Sequence, residues 1–135
     1  MDLLNTMKVS ASGMKVQSDR LRVVSENIAN ADSTGDTPGA APYRRKTISF
    51  KNRLDREIGA ELVEVNKIGT DKSKFIDRYD PTHPAANAEG YVLRPNVNTI
   101  IEMMDMREAR RGYEANLNVI ESSKTMLSQG INIIR

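Results

Sequence analysis

The stretch NIANADSTGDTPGAAPYRRK, Asn27 to Lys46, decides how the chain is to be read. Before it lies a regular amphipathic segment, and after it an aromatic, basic and β-branched run that reads as a strand. Between the two, Gly35, Pro38, Gly39 and Pro42 exclude a continuous helix, because proline lacks the backbone donor and glycine resists helical ordering. Asn27 and Asn30 offer amide donors and acceptors for the free groups near a helix end. Gly35 and Gly39 are expected at backbone angles that a β-branched residue resists. Arg44 and Arg45 carry guanidinium forks suited to the carboxylates of a neighbouring chain. Asn27, Asn30, Gly35, Gly39, Arg44 and Arg45 are therefore the expected hinge and inter-subunit contacts.

Upstream of the break, Met7, Met14, Leu21 and Ile28 recur every seventh position, with Leu4 and Ala11 three residues before the first two. That spacing predicts a helix packed on another helix. Downstream, Met106, Tyr113, Ile120, Leu127 and Ile134 repeat it, with Met103, Leu117 and Ile131 three residues before alternate members. Asn96 or Asn98, following Pro95, is the expected cap of this second helix. Glu102 and Asp105 fall in its early turns, where negative charge suits the helix dipole. From about Asn98 onward the helix would run roughly 50 Å at 1.5 Å per residue.

The expected fold is mainly α with a small β-rich insertion, the N- and C-terminal helices packing as an antiparallel coiled-coil-like pair. Three parts follow: an N-terminal helix in residues 1–31, a β-rich and loop insertion in 32–95, and a C-terminal helix in 96–135. Within the insertion YRRKTISF (Tyr43–Phe50) and ELVEVNKI (Glu61–Ile68) read as strands that pair through the region of Gly59. DPTHPAANAEGYVLRPN (Asp80–Asn96) reads as an ordered loop or extended arm. Met7, Met14, Leu21, Ile28, Met106, Tyr113, Leu117, Ile120, Leu127, Ile131 and Ile134 are the expected helix-packing and subunit-interface residues. Val119, Met126 and Ile133 form a further seven-spaced row, so the apolar surface is wider than one two-helix seam consumes. Burying each such side chain is worth about 1.5–3 kcal/mol. The excess points to neighbouring subunits.

Composition narrows the function. The 135 residues suit one domain of modest size, with mean hydropathy −0.52, 4% aromatic content and no tryptophan. Such a chain builds a small core or buries apolar surface against other chains. A net charge of +2 makes no strong case for nucleic acid, and Arg44–Lys46 and Arg107, Arg110 and Arg111 read as solvated or subunit-bridging faces. The absence of cysteine excludes disulfides and thiolate metal sites. The N-terminal residues lack the basic and unbroken apolar regions of a Sec signal, and no run approaches a membrane span. His83 with Asp77 and Asp80 offers a superficial ligand set, but Pro81 and Pro84 favour a turn role over a metal site. With no nucleophile elbow and no phosphate-cradling loop, neither an enzyme nor a cofactor is expected. A coiled-coil regulatory or nucleic-acid-binding protein using the Arg107–Arg111 face is the competing class.

SASGMKVQSDRLRVVSENIANADSTG (Ser10–Gly35) resembles the N-terminal signature of bacterial flagellar rod and hook axial proteins. NVNTIIEMMDMREARRGYEANLNVIESSKTMLSQGINI (Asn96–Ile133) resembles their C-terminal signature. DSTGDTPGAAPYRRK and YDPTHPAANAEGYVLRPNVN are similar to the C-type proximal rod branch of the basal-body rod family, with Ala40–Ala41 in place of a more Gly-rich pair. The resemblance covers most of the chain. It implies a structural subunit of the periplasm-spanning drive shaft, with terminal helices lining the inner part of a helical tube. It also implies export through the flagellar type III apparatus without a cleaved signal. The implied partners are other copies of the chain, the B-, F- and G-type rod proteins and the rod-base adaptor, with no nucleic acid and no direct membrane span.

Overall fold

The computed structural model describes residues 2–134, so the ends expected at residues 1 and 135 lie outside the described residues. Among the described residues the order of elements is α1 (Leu3–Ala29), β1 (Lys46–Asp55), β2 (Ala60–Thr70), β3 (Ile76–Tyr79), β4 (Tyr91–Arg94) and α2 (Thr99–Ile134). β1 pairs with β2 and β3 with β4, giving two separate two-stranded antiparallel sheets. The chain divides into two compact units, and the long elements contribute residues to both.

Unit one holds the chain up to Leu21, Ile48–Lys67 and the chain from Arg107. Here the two helices pack against each other in antiparallel sense. Gly13 lies so close to Asn116 that a Cβ on the glycine would sit 2.8 Å from the amide nitrogen. Gly112 faces Gln17 with 3.1 Å for a Cβ, and Arg20 reaches Glu108 at 3.9 Å. Ser10, Val16, Ala109 and Ser123 are buried. The helix contact is thus made of small and amide residues, and bare backbone sets its closeness.

The β1–β2 hairpin of this unit turns through residues 56–59. Gly59 supplies the required positive φ of 63° and donates its N–H to the Asp55 carbonyl at 2.9 Å. Glu64 bridges to Lys51 at 3.1 Å and Arg53 at 3.2 Å across the strands. The hairpin is tied to α1 by the Val63 N–H, which donates to Ser12 Oγ at 3.3 Å, and by Asn5 Nδ2, which donates to the Ile58 carbonyl at 3.3 Å. KNRLD extends β1 to Asp55, where the cross-strand pairs of Lys51 and Arg53 with Glu64 override the helical character also present in KNRLDREIG.

Unit two holds Arg22–Thr47 and Ile68–Met106. Its apolar core is small: Val23, Val24, Ala85, Val92 and Val97 are buried, together with Pro42 and Pro95. Part of the segment expected as a loop forms β4, which pairs Ile76 with Arg94, Asp77 with Leu93, Arg78 with Val92 and Tyr79 with Tyr91. Asn98 caps α2, its Oδ1 accepting the Ile100 N–H at 3.1 Å and its carbonyl accepting the Glu102 N–H at 3.0 Å.

Candidate functional site: a polar anchor and exposed helix faces

The break after α1 is an ordered structure of unit two. Asn30 Nδ2 donates to the Glu26 carbonyl at 2.9 Å, which satisfies one of the free acceptors at the helix end. The Tyr43 N–H donates to the Ser33 carbonyl at 2.9 Å and closes residues 34–42 into a loop. Gly39 has φ +82°, the left-handed region where side chains are strained. Gly35 is required for a different reason from the one expected. Its φ is not positive, but a Cβ there would lie 2.6 Å from Ala40 Cβ and 2.8 Å from the Ala40 carbonyl oxygen.

Asn27 organises the entry into β1. It is 1% exposed and uses its whole amide. Nδ2 donates to the Lys46 carbonyl at 2.9 Å and to Glu102 Oε2 at 3.1 Å. Oδ1 accepts the Lys46 N–H at 2.8 Å and the Tyr43 hydroxyl at 2.8 Å. The side-chain amide therefore exchanges two hydrogen bonds with one backbone residue, as an adjacent strand would. Lys46, the first residue of β1, gains a ladder partner from a helix.

Glu102 is fully buried and accepts from Arg45 Nε in a close ion pair. Arg45 also lies 3.6 Å from Asp71 and 4.0 Å from Asp105, and its N–H donates to Asn96 Oδ1 at 2.8 Å. Desolvation alone would lower its pKa, but the hydrogen bond and charge of Glu102, with Asp71 and Asp105, raise it above the ordinary arginine value. Arg44 Nη1 donates to the carbonyls of Asp71 at 2.9 Å and Ser73 at 3.0 Å, and its guanidinium sits 4.1 Å from the Phe75 ring centroid. Both arginines expected to reach a neighbouring chain are thus engaged inside the unit. Lys46 Nζ pairs with Glu26 at 2.6 Å; that hydrogen bond lowers the Glu26 pKa and raises that of Lys46. The Ser73 N–H, donating to Asp71 Oδ1 at 2.8 Å, holds the Asp71 carboxyl below its usual range. Burial pushes the Tyr43 phenol up.

Met7, Met14, Leu21 and Ile28 are half-buried on α1, as are Met106, Tyr113, Leu117, Ile120 and Leu127 on α2, while Ile131 and Ile134 are exposed. Within unit one, Met14 and Tyr113 adjoin in sequence the glycines of the small-residue contact, Gly13 and Gly112. Ile100, Ile101, Met103 and Met104 at the start of α2 are also exposed. Reasoning from large apolar residues passed over the inward row of α2, Glu102, Ala109, Asn116 and Ser123. It is visible as a second seven-residue period, one of small and polar residues.

His83 serves a turn. Its Nδ1 accepts the Ala85 N–H at 3.0 Å, so the neutral ring carries its proton on Nε2, which faces Thr34 Oγ1 at 3.2 Å. Among the described residues no three His, Asp or Glu side chains converge on a metal-sized site, and no helix is long and apolar enough to cross a membrane.

Comparison with known proteins fits this architecture. The family described as "Flagella basal body rod protein" matches residues 7–35. The family described as "Flagellar basal body rod FlgEFG protein C-terminal" matches residues 88–133. The flagellar basal-body rod protein FlgC of Agrobacterium fabrum is 55% identical over 128 residues, covering 95% of this chain and 92% of its own. The proteins of the same name from Borreliella burgdorferi and Bacillus subtilis are 40% and 38% identical, over 100% and 98% of this chain and 99% of each of theirs.

Proposed function

The chain belongs to the flagellar basal-body rod protein family, and on that premise we propose that it is a non-catalytic structural subunit of the proximal rod, the periplasm-spanning drive shaft. Its two terminal helices act as an antiparallel coiled-coil-like pair in a helical tube. Their half-buried seven-spaced rows complete their burial against other copies, against the B-, F- and G-type rod proteins and against the rod-base adaptor. The chain reaches that site through the flagellar type III export apparatus.

The observation that carries this reading is the division of labour between surfaces. The intramolecular helix contact uses Gly13, Gly112, Ala109 and Ser123, whereas Ile100, Met104 and Ile131 stay more than half exposed. A soluble chain that leaves such side chains in water keeps them for association. The test is fractionation of a strain lacking the native copy and expressing a tagged chain. The chain should be recovered in purified basal bodies and should restore swimming. A chain found only in the cytosol of a swimming strain would overturn the reading.

A further inference from the structure

Residues of the β3–β4 hairpin alternate between two faces. On one lie Arg78, itself exposed, and Val92, which is 3% exposed. Asp77 and Leu93, directly opposite each other, share the other with the next pair on that face, Tyr79 and Tyr91. The two rings meet edge to face at 5.4 Å. Gly90, at φ +86°, lies behind them; a Cβ there would come 2.8 Å from the Tyr79 ring. The platform is therefore built against bare backbone, yet Tyr79, Tyr91 and Leu93 all remain exposed. The chain has only four tyrosines and two phenylalanines, and this pair, which steadies the hairpin, still leaves much of its ring surface in solvent. Asp77 is exposed and has no partner among the described residues.

A matching surface exists on α2. Glu102 and Ala109 define its buried side. Ile100, Met104, Arg107 and Arg111, spaced three or four apart, line the opposite side, and Met103 flanks it. Ile100 is 69% exposed and Met104 64%. Arg107 and Arg111 are exposed and have no carboxylate partner among the described residues.

Resting on the rod reading above, we propose that these two surfaces are the halves of one contact between copies of this chain. The Ile100, Met103 and Met104 face of one copy seats on the Tyr79, Tyr91 and Leu93 platform of the next, and Arg107 of the first meets Asp77 of the second. The chemistry is complementary throughout. Thioethers favour aromatic edges, and a guanidinium matches both a carboxylate fork and a tyrosine face. The two surfaces differ, so the contact is heterologous: every copy offers one of each, and the contact propagates from copy to copy.

The chain contains no cysteine, so introduced thiols have no native background. Basal bodies are prepared from cells carrying Met104→Cys with Tyr79→Cys in one chain, and are oxidised. The combined variant gives a ladder of dimers, trimers and higher multiples, and each single variant stays monomeric. Basal bodies that contain the combined variant at wild-type level but show no ladder overturn the proposal. So do cross-links at the mass of a different protein, or dimers from either single variant. Should the combined variant not incorporate, charge reversal decides. Asp77→Arg and Arg107→Asp each reduce recovery in basal bodies about tenfold, and together they restore it to within about threefold. A double reversal no better than the poorer single one overturns the contact. If the unmodified chain is itself missing from basal bodies, the rod reading fails instead. Oxidation of the concentrated purified combined variant then tests the contact alone, and the absence of a ladder there overturns it.

Discussion

Replacing Asn27 tests whether unit two is held by its polar anchor. In Asn27→Ala the Lys46 N–H and carbonyl, the Tyr43 hydroxyl and one Glu102 oxygen lose a partner at once. A buried group left unsatisfied costs about 1–3 kcal/mol, and the site is too enclosed for water to replace every bond. Tyr43 is half-buried and recovers part of its loss by rotating its hydroxyl outward. Counting the two Lys46 groups in full and the others in part gives about 3–5 kcal/mol. A domain of this size is stable by about 5–15 kcal/mol, so at least about a fifth of the total is at stake. The thermal midpoint should fall by roughly 10–20 °C.

The isosteric Asn27→Asp variant separates shape from chemistry. It keeps both acceptor contacts but places a carboxylate beside Glu102 and removes both donors. Asn27→Asp should therefore be at least as destabilised as Asn27→Ala at pH 7. Its new carboxyl, facing Glu102, would have a folded pKa above the unfolded value of about 3.9. A carboxyl with a raised folded pKa binds its proton more tightly in the native state, so this variant should regain stability relative to wild type as pH falls towards 4. Urea and thermal unfolding followed by circular dichroism at pH 7 and pH 4.5 measures both effects. A loss below about 1 kcal/mol in Asn27→Ala, the net worth of one ordinary hydrogen bond, would refute the anchor.

Three further outcomes follow from the same geometry. Glu26 and Asp71 have lowered folded pKa values, so their contribution is present above about pH 4 and lost as pH falls through the folded values; Lys46 is raised, so its contribution is lost in alkali above about pH 10.5. Melting temperature against pH should drop at both ends, and Glu26→Gln with Lys46→Met should flatten the alkaline limb. Gly35→Ala should cost about 1–3 kcal/mol through the approach to Ala40, and adding Ala40→Gly should recover part of it in urea unfolding. Ile120→Asp or Leu127→Asp should abolish recovery in basal bodies and swimming by desolvating an unpaired charge, while Glu121→Gln should be mild; normal swimming by Ile120→Asp would refute the packing role of that row.

The legible parts of this fold are those whose information is local. A seven-residue period is carried by neighbouring turns of one helix, so both helices stand out, and a cap at Asn96 or Asn98 follows from proline and a short amide, the structure using Asn98. The break at Gly35–Pro42 is legible for the same reason. What stayed hidden is long-range. Asn27 and Glu102 are 75 residues apart, and Arg45 and Glu102 are 57 apart. Nothing in the composition of YRRK distinguishes an arginine aimed at its own chain from one aimed at another. β4 was hidden because its four residues lie between a glycine and a proline, where local preference favours a loop and only pairing with β3 makes a strand. The small-residue helix contact was hidden because a search for core residues weighs side chains by size. At Gly13 and Gly112 the interaction depends on the absence of one.

That contact has a thermodynamic consequence. Glycine, alanine, serine and asparagine bring two helices close but remove little apolar surface from water, at about 25 cal/mol per Å². The pairing in unit one is therefore specific without being strongly favourable. In unit two the fully buried positions include Glu102 and Asn27, whose hydrogen bonds set one register and add little beyond offsetting their own desolvation. Both arrangements fix geometry at small cost and leave much of the large apolar surface half-buried or exposed. A neighbour that covers those side chains binds only the folded form. By linkage it stabilises that form in proportion to the logarithm of its concentration relative to its dissociation constant. The isolated chain should consequently melt at a temperature that rises with its own concentration. A variant that enlarges the internal contact, such as Gly112→Leu, should push the helices apart and weaken assembly even though it adds apolar surface.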